Sequence, residues 1–182
     1  MSYYRPYIPE EWHHNIINYK YSGTDNSILY RYFLSPVCNK LVLYFPEHVA
    51  PNTITCFGLL LVVIMNVLVN SYSGWDGNQD IPGYINIIAG LLYYTYHILD
   101  NIDGKQARRT QNSSPLGMLC DHGCDSITTF MLSIAICSAV KLTGIWYSIL
   151  FLCIGFPFFV CTWEQSITGI KNYYIIIKLI FI

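Results

Sequence analysis

Four aspartates lie within one short stretch of a largely apolar chain. They form two pairs, Asp100 with Asp103 and Asp121 with Asp125, spaced three and four residues apart. On α-helices each pair points to one side, so two neighbouring helices would bring the four carboxylates together. Oxygen-only ligands suit a hard divalent cation such as Mg²⁺ or Mn²⁺. Four carboxylates can share two such ions, and two is the number expected here.

Long apolar runs flank these aspartates on both sides. The 182 residues are 53% hydrophobic and 12% charged, and this charged share is about half that of soluble domains. The fold class predicted is all-α, a polytopic transmembrane helix bundle. A charged side chain at the centre of a bilayer costs about 2.5–3.5 kcal/mol, so bound cations account for four aspartates better than a purely structural network does. The sequence shows no basic cluster of the kind that binds nucleic acid.

The apolar periodicity divides the chain into an arm and a bundle. Residues 1–24 have no regular period and are predicted to form an irregular N-terminal arm. Residues 25–182 are predicted to form a single transmembrane domain. It opens with an amphipathic helix over 25–45, which favours a position in the membrane interface over a soluble core. The predicted spans are about 53–72, 83–109, 115–140 and 145–163, with a partial span over 173–182.

Two features predict where the third span begins and how the bundle is oriented. Serine caps helices and proline fits their first position, so Ser114 and Pro115 predict the start of the third span. Nine lysines and arginines fall in segments on the side of the N-terminus, and only Lys141 falls on the other side. The positive-inside rule therefore places the aspartates at the cytosolic side.

The spacing of the whole block resembles a known motif. It is D-x-x-D-G-x-x-A-R and then, after eight residues, G-x-x-x-D-x-x-x-D. This is the motif of the CDP-alcohol phosphotransferases, and the chain resembles it at every position. The resemblance implies metal ligands at Asp100, Asp103, Asp121 and Asp125. It also implies a CDP-binding set that consists of Asn52, Gly104, Ala107, Arg108 and Gly117.

Several members of this CDP-binding set have a second interpretation. Arg108 suits a diphosphate because its planar group can bind two phosphate oxygens, whereas Lys105 and Arg109 fit ordinary positive-inside anchors better. The three small residues admit either a nucleotide or close packing between helices. Asn52 could contact the nucleotide or cap a helix.

The acceptor hydroxyl must lose a proton, and two residues are candidates for the base. An imidazole such as that of His122 titrates near neutral pH, whereas a metal-bound carboxylate such as Asp125 is a poor base. The segments DGKQARRT, SSPLG and DHGCDS resemble the choline/ethanolamine phosphotransferase branch, which is understood to use the histidine. His122 is therefore favoured as the catalytic base, although it could instead orient an aspartate.

The resemblance to this branch covers nearly the whole chain and implies a reaction. Phosphoethanolamine or phosphocholine passes from its CDP ester to diacylglycerol, and CMP is released. The implied location is the endoplasmic reticulum or Golgi membrane, with the active site facing the cytosol. Members of the branch are longer and have further membrane helices, so a truncated member is expected. The implied partners are CDP-ethanolamine or CDP-choline, diacylglycerol and membrane lipid. A homodimer is compatible with this interpretation.

Three other functions compete with this one. A truncated, non-catalytic membrane partner of a full-length phosphotransferase would keep the motif without turnover. Another CDP-alcohol phosphatidyltransferase is disfavoured by the segments HGCD and QARRT. A cation transporter would need a polar path across the membrane, and the far halves of the spans supply no further carboxylate.

Overall fold

Four long helices and a short one make up most of the structure, a computed structural model that describes residues 9–14, 22–24, 28–74, 77, 79–168 and 170–172. The helices are α1 (Ser35–Leu41), α2 (Pro51–Ser73), α3 (Gly83–Arg109), α4 (Pro115–Ala139) and α5 (Ile145–Thr168). The predicted all-α fold is confirmed, and the four predicted spans fall on α2 to α5. The predicted partial span over 173–182 and the predicted start of the interfacial helix at 25–27 lie outside the described residues.

The predicted interfacial helix is helical but irregular. A π-helical turn over Tyr30–Leu34 leads into α1, and a 3₁₀ turn over Val42–Tyr44 follows it. Pro36 is the second residue of α1, and proline has no backbone N–H to donate to the preceding turn. The π-helical turn, which is wider than an α-helical turn, lies just before this proline because a regular α-helical hydrogen bond is lost there.

The core lies between α2 and its two neighbours. α2 packs against both α3 and α4, while α5 packs against α4 and α1 against α3. One cluster joins α1 and the turns on either side of it to the start of α2 and the end of α3 through Leu34, Cys38, Val42, Ile54, Leu99 and Ile102. A second cluster fills the middle of the bundle with Val62, Met65, Val69, Ala89, Tyr96 and Ala135. α2 thus holds the two aspartate-bearing helices together.

The outer faces of the bundle are apolar. Large exposed side chains include Leu60, Ile64 and Val67 on α2 and Phe156 and Phe159 on α5. Within the described part of the chain, two helical stretches, Pro51–Ser73 and Ile145–Gln165, are long and apolar enough by length and composition to cross a bilayer. The prediction that α3 and α4 also span the membrane stays a prediction.

The ends of the helices follow local sequence signals. Ser114 Oγ accepts a hydrogen bond from the Gly117 N–H at 3.0 Å, and Pro115 is the first residue of α4, so the predicted cap is confirmed. The loop before it turns at Gln111, whose φ of 56° lies in the left-handed region. At the opposite end of the bundle, Lys141 forms an ion pair with Asp80.

Two short strands join distant parts of the chain. β1 (Ser22–Thr24) pairs in parallel with β2 (Ile170–Asn172), with Ser22 opposite Ile170. β1 lies in the arm that was predicted to be irregular. Three residues are too few to show an alternating pattern, and the partner strand lies far away in the sequence, after α5.

Candidate active site

Three of the four predicted metal ligands converge in the structure. The carboxylates of Asp100 and Asp103 on α3 meet that of Asp121 on α4, with one oxygen from each within 4.8 Å of the other two. Asp103 has an exposed fraction of 5%, and the other two are half-buried. The three-residue spacing on α3 turns two of these side chains to one side, towards the start of α4.

The fourth aspartate lies beside this group. Asp125 is one helical turn beyond Asp121 on α4, and its Oδ1 accepts a hydrogen bond from the buried Tyr96 hydroxyl at 2.8 Å. Asp100 and Asp125 are close enough for their carboxylates to interact electrostatically. Asp125 therefore lies next to the group and is held from α3 by Tyr96.

Thr55 on α2 contacts the most buried aspartate. Its Oγ1 donates a hydrogen bond to Asp103 Oδ2 at 2.5 Å and lies 3.3 Å from the Pro51 carbonyl oxygen of its own helix. Thr55 is itself buried. α2, which carries no aspartate, thus reaches the cluster through the Thr55 hydroxyl group. This hydrogen bond restrains the Asp103 side chain. Neither Thr55 nor Tyr96 was predicted as a site residue.

The residues predicted to bind CDP form two contacts next to the aspartates. A methyl group placed on Gly104 would lie 3.6 Å from Arg108 Nη1, so the exposed guanidinium lies over that glycine. A methyl group placed on Gly117 would lie 3.5 Å from Asn52 Oδ1. The side chain of Asn52 therefore crosses from α2 to the first turn of α4. It does not cap α2, whose N-cap position is Ala50 and has no side-chain hydrogen bond.

Comparisons with known proteins identify the family. A sequence model of the CDP-alcohol phosphatidyltransferase family matches residues 48–171, which is more than half of the chain. The chain belongs to this family. The matched part contains α2 to α5, and with them all the predicted site residues.

The chain is similar to several proteins that are named as phosphotransferases. It is 36% identical over 174 residues to ethanolaminephosphotransferase 1 of Homo sapiens, covering 90% of this chain and 44% of the relative. It is 38% identical over 153 residues to choline/ethanolaminephosphotransferase 1 of Arabidopsis thaliana, covering 83% and 38%. It is 37% identical over 158 residues to cholinephosphotransferase 1 of Danio rerio, covering 83% and 40%. The predicted family is confirmed by the family model, these relatives carry the names of the predicted branch, and the chain spans about two fifths of their length.

The aspartate cluster of this family member fits a divalent cation. Three like charges within 4.8 Å of one another repel strongly, and a bound cation would turn this repulsion into attraction. All the donors are carboxylate oxygens, which are the ligands that Mg²⁺ and Mn²⁺ prefer. Asp100, Asp103 and Asp121 could therefore hold a metal ion.

The remaining predicted site residues lie around this cluster. His122 is half-buried on α4 and lies about 100° around the helix from Asp121, at the edge of the face that carries the aspartates. Ala107 is half-buried, and its carbonyl oxygen accepts a hydrogen bond from Asn112 N–H at 2.9 Å, which shapes the loop before α4. The role of each of these residues stays a prediction.

Replacing Thr55 with Val should weaken metal binding by about 10- to 100-fold, because the hydroxyl that restrains a metal ligand is lost while the shape is kept. Titration of the purified protein with Mn²⁺, followed by electron paramagnetic resonance, measures this. The matched control is Thr95→Val, since Thr95 is exposed on α3 and donates to the Leu91 carbonyl of its own helix. An Mn²⁺ affinity equal to that of the Thr95 variant would contradict the role of Thr55.

Proposed function

We propose that the protein transfers phosphoethanolamine or phosphocholine from the CDP ester to the hydroxyl group of diacylglycerol. The oxygen of that hydroxyl bonds to the β-phosphorus, the bond from this phosphorus to the bridging oxygen breaks, and CMP leaves. The observation that carries the proposal is the convergence of three carboxylates from α3 and α4 within 4.8 Å. The names of the relatives support the choice of substrates.

The nucleotide donor is proposed to bind across the same two helices. Arg108 lies over Gly104, one residue beyond Asp103, where its guanidinium can bind two diphosphate oxygens. Asn52 lies against Gly117, one turn before Asp121. Both contacts thus flank the aspartates, and Ala107 and the two glycines add no bulk that would exclude a nucleotide.

The aspartates are proposed to act as a metal site, and the histidine as the base. A divalent cation, either Mg²⁺ or Mn²⁺, would supply positive charge to the diphosphate and to the leaving CMP. Asp100, Asp103 and Asp121 would hold the first ion, and Asp125 would complete a site for a second. His122 Nδ1 or Nε2 would accept the proton of the diacylglycerol hydroxyl, with the Asp125 carboxylate as the alternative acceptor.

The proposed orientation follows from the charges and the apolar surface. The aspartates lie at the end of the bundle that carries most of the basic residues, so CDP-alcohol would arrive from the cytosol. The exposed apolar faces of α2 and α5 would contact lipid, from which diacylglycerol would enter. The proposed compartment is the endoplasmic reticulum or Golgi membrane, and a homodimer is compatible with this arrangement.

An assay of the purified chain tests the proposal directly. The chain in lipid nanodiscs is supplied with diacylglycerol and labelled CDP-ethanolamine or CDP-choline. We expect labelled phospholipid with Mn²⁺ or Mg²⁺, background levels with EDTA, and recovery when excess metal is restored, because the donor site depends on the cation.

The control for this assay is a protein-free nanodisc under the same conditions. The same preparation is titrated with CDP, which reports binding without turnover. Binding of CDP with no turnover of either donor would contradict the proposed function and favour a non-catalytic membrane partner. Turnover that persists in EDTA would contradict the metal site.

A further inference from the structure

The cytosolic end of α3 presents two different faces. One face carries Asp103, Gly104 and Arg108, which belong to the candidate active site. The other carries Lys105, Gln106 and Arg109, and all three bond to the segment that precedes α2. The stretch that resembles a donor-binding motif thus also holds a neighbouring part of the chain.

The contacts of Gln106 and Arg109 go to backbone carbonyl groups. Gln106 Nε2 donates to the Pro46 and Val49 carbonyl oxygens at 2.9 and 3.3 Å, and Gln106 has an exposed fraction of 0%. Arg109 Nη1 donates to the Val42 and Phe45 carbonyl oxygens at 2.9 and 2.8 Å. Four carbonyl groups of one short segment are therefore held by two side chains of α3.

The other contacts at this end of α3 go to side chains rather than to backbone carbonyl groups. Arg109 Nη2 lies 3.2 Å from Oε1 of Glu47, which is largely exposed. Lys105 Nζ reaches Ser35 and Asn39, and lies 5.6 Å from the centre of the Tyr30 ring. Lys105 therefore contacts α1 and the turn before it, whereas Gln106 and Arg109 contact the linker of residues 42–50.

The linker leads straight into the candidate donor site. It ends at Ala50, whose carbonyl oxygen accepts a hydrogen bond from Thr53 N–H at 3.0 Å, and α2 begins with Pro51 and Asn52. The Val42 and Pro46 carbonyl groups also accept hydrogen bonds from the Phe45 and Val49 N–H groups within the linker, and α3 adds side-chain donors to both. The segment that Gln106 and Arg109 hold is thus continuous with the first turn of α2, which carries Asn52.

We propose that Gln106 and Arg109 are positioning residues for the nucleotide: they hold the linker to α3 and so place Asn52 beside the aspartates. The proposal rests on the proposed function for the identity of the ligand. It assigns Arg109 a role beyond that of a positive-inside anchor. It also separates Arg109 from its neighbour Arg108, which lies on the site face.

The test compares Gln106→Glu and Arg109→Lys with two matched controls in the full chain. A glutamate keeps the shape of Gln106 but removes both donors, and a lysine keeps the charge of Arg109 but loses its planar fork. The controls are Lys105→Gln, which loses contacts to α1 and the turn before it, and Glu47→Gln, which loses only the exposed ion pair. The probes are CDP with Mn²⁺ present, Mn²⁺ alone, and amide hydrogen exchange over residues 46–53.

We expect CDP affinity to fall by about tenfold or more in Gln106→Glu and Arg109→Lys. A misplaced Asn52 would lose most of its contribution to binding. Amide exchange over 46–53 should become faster, while Mn²⁺ affinity and both controls should resemble the unaltered chain. Unchanged exchange in Gln106→Glu would overturn the role of this residue in holding the linker. Faster exchange with unchanged CDP affinity, or a parallel loss of Mn²⁺ affinity, would overturn the positioning role. An unaltered chain that binds no CDP would instead contradict the proposed function, and the nucleotide role with it.

Discussion

Replacing Asp103 with Asn should lower turnover by about 100- to 1,000-fold or more, because the proposed cation site at the diphosphate would lose one of its charges. Asn has the same shape, and its amide oxygen can still accept the Thr55 hydrogen bond. The substitution also removes one of three crowded negative charges. In EDTA, the variant should therefore unfold at a temperature no lower than the unaltered chain, while its Mn²⁺ affinity falls.

Two measurements make this result specific to the site. Turnover of labelled CDP-ethanolamine is compared with thermal unfolding in EDTA, so that a misfolded variant is recognised. Asp80→Asn is the control, since Asp80 is an exposed aspartate at the opposite end of the bundle that pairs with Lys141. Near-normal Mn²⁺ affinity in the Asp103 variant would show that these carboxylates do not form a metal site.

Replacing His122 with Gln should reduce turnover by about 100- to 10,000-fold, the range for loss of a general base. Binding of the CDP donor should remain, because the groups proposed to hold it are untouched. His122→Ala should recover part of its turnover when imidazole is added to the assay, since free imidazole can accept the proton in place of the side chain. Turnover and CDP titration on the same preparation separate chemistry from binding.

The control for this histidine is His48→Gln, because His48 is exposed in the linker at the same end of the bundle. If His122 had only a structural role, added imidazole would not restore turnover in His122→Ala. If the glutamine variant turns over at a near-normal rate, His122 is not the base, and Asp125 becomes the residue to test. Loss of CDP binding in His122→Gln would instead indicate that the histidine orients the donor site.

The parts of the site that the sequence predicted are those set by local spacing. Asp100 and Asp103 share a helix face because they are spaced three positions apart, and this is visible without knowing what the helix packs against. The cap at Ser114 is likewise local, since the serine and the Gly117 N–H that it accepts from are three residues apart. The position of the two aspartate pairs on neighbouring helices was also predicted, although it is α2 that packs against both α3 and α4.

The parts that were missed depend on how helices pack. Thr55 reaches Asp103 from another helix, and nothing in the sequence near either residue indicates which face of α2 meets α3. Tyr96 was not predicted as a site residue, although its hydroxyl donates a hydrogen bond to Asp125 on α4. Arg108 and Arg109 are adjacent in sequence. Their predicted roles were distinguished only by the general rule that basic residues anchor helices at the membrane surface. Their different partners became visible once α1 and the linker were in place.

The parallel pairing of β1 with β2 has a consequence for the order of events during biosynthesis. Ser22 leaves the ribosome early, but its partner Ile170 emerges only after all four long helices have been translated. Contacts between such distant residues form late because a long loop must close first. The first strand therefore stays unpaired until α5 has been translated. In nascent chains halted before residue 170, this strand should be open to protease.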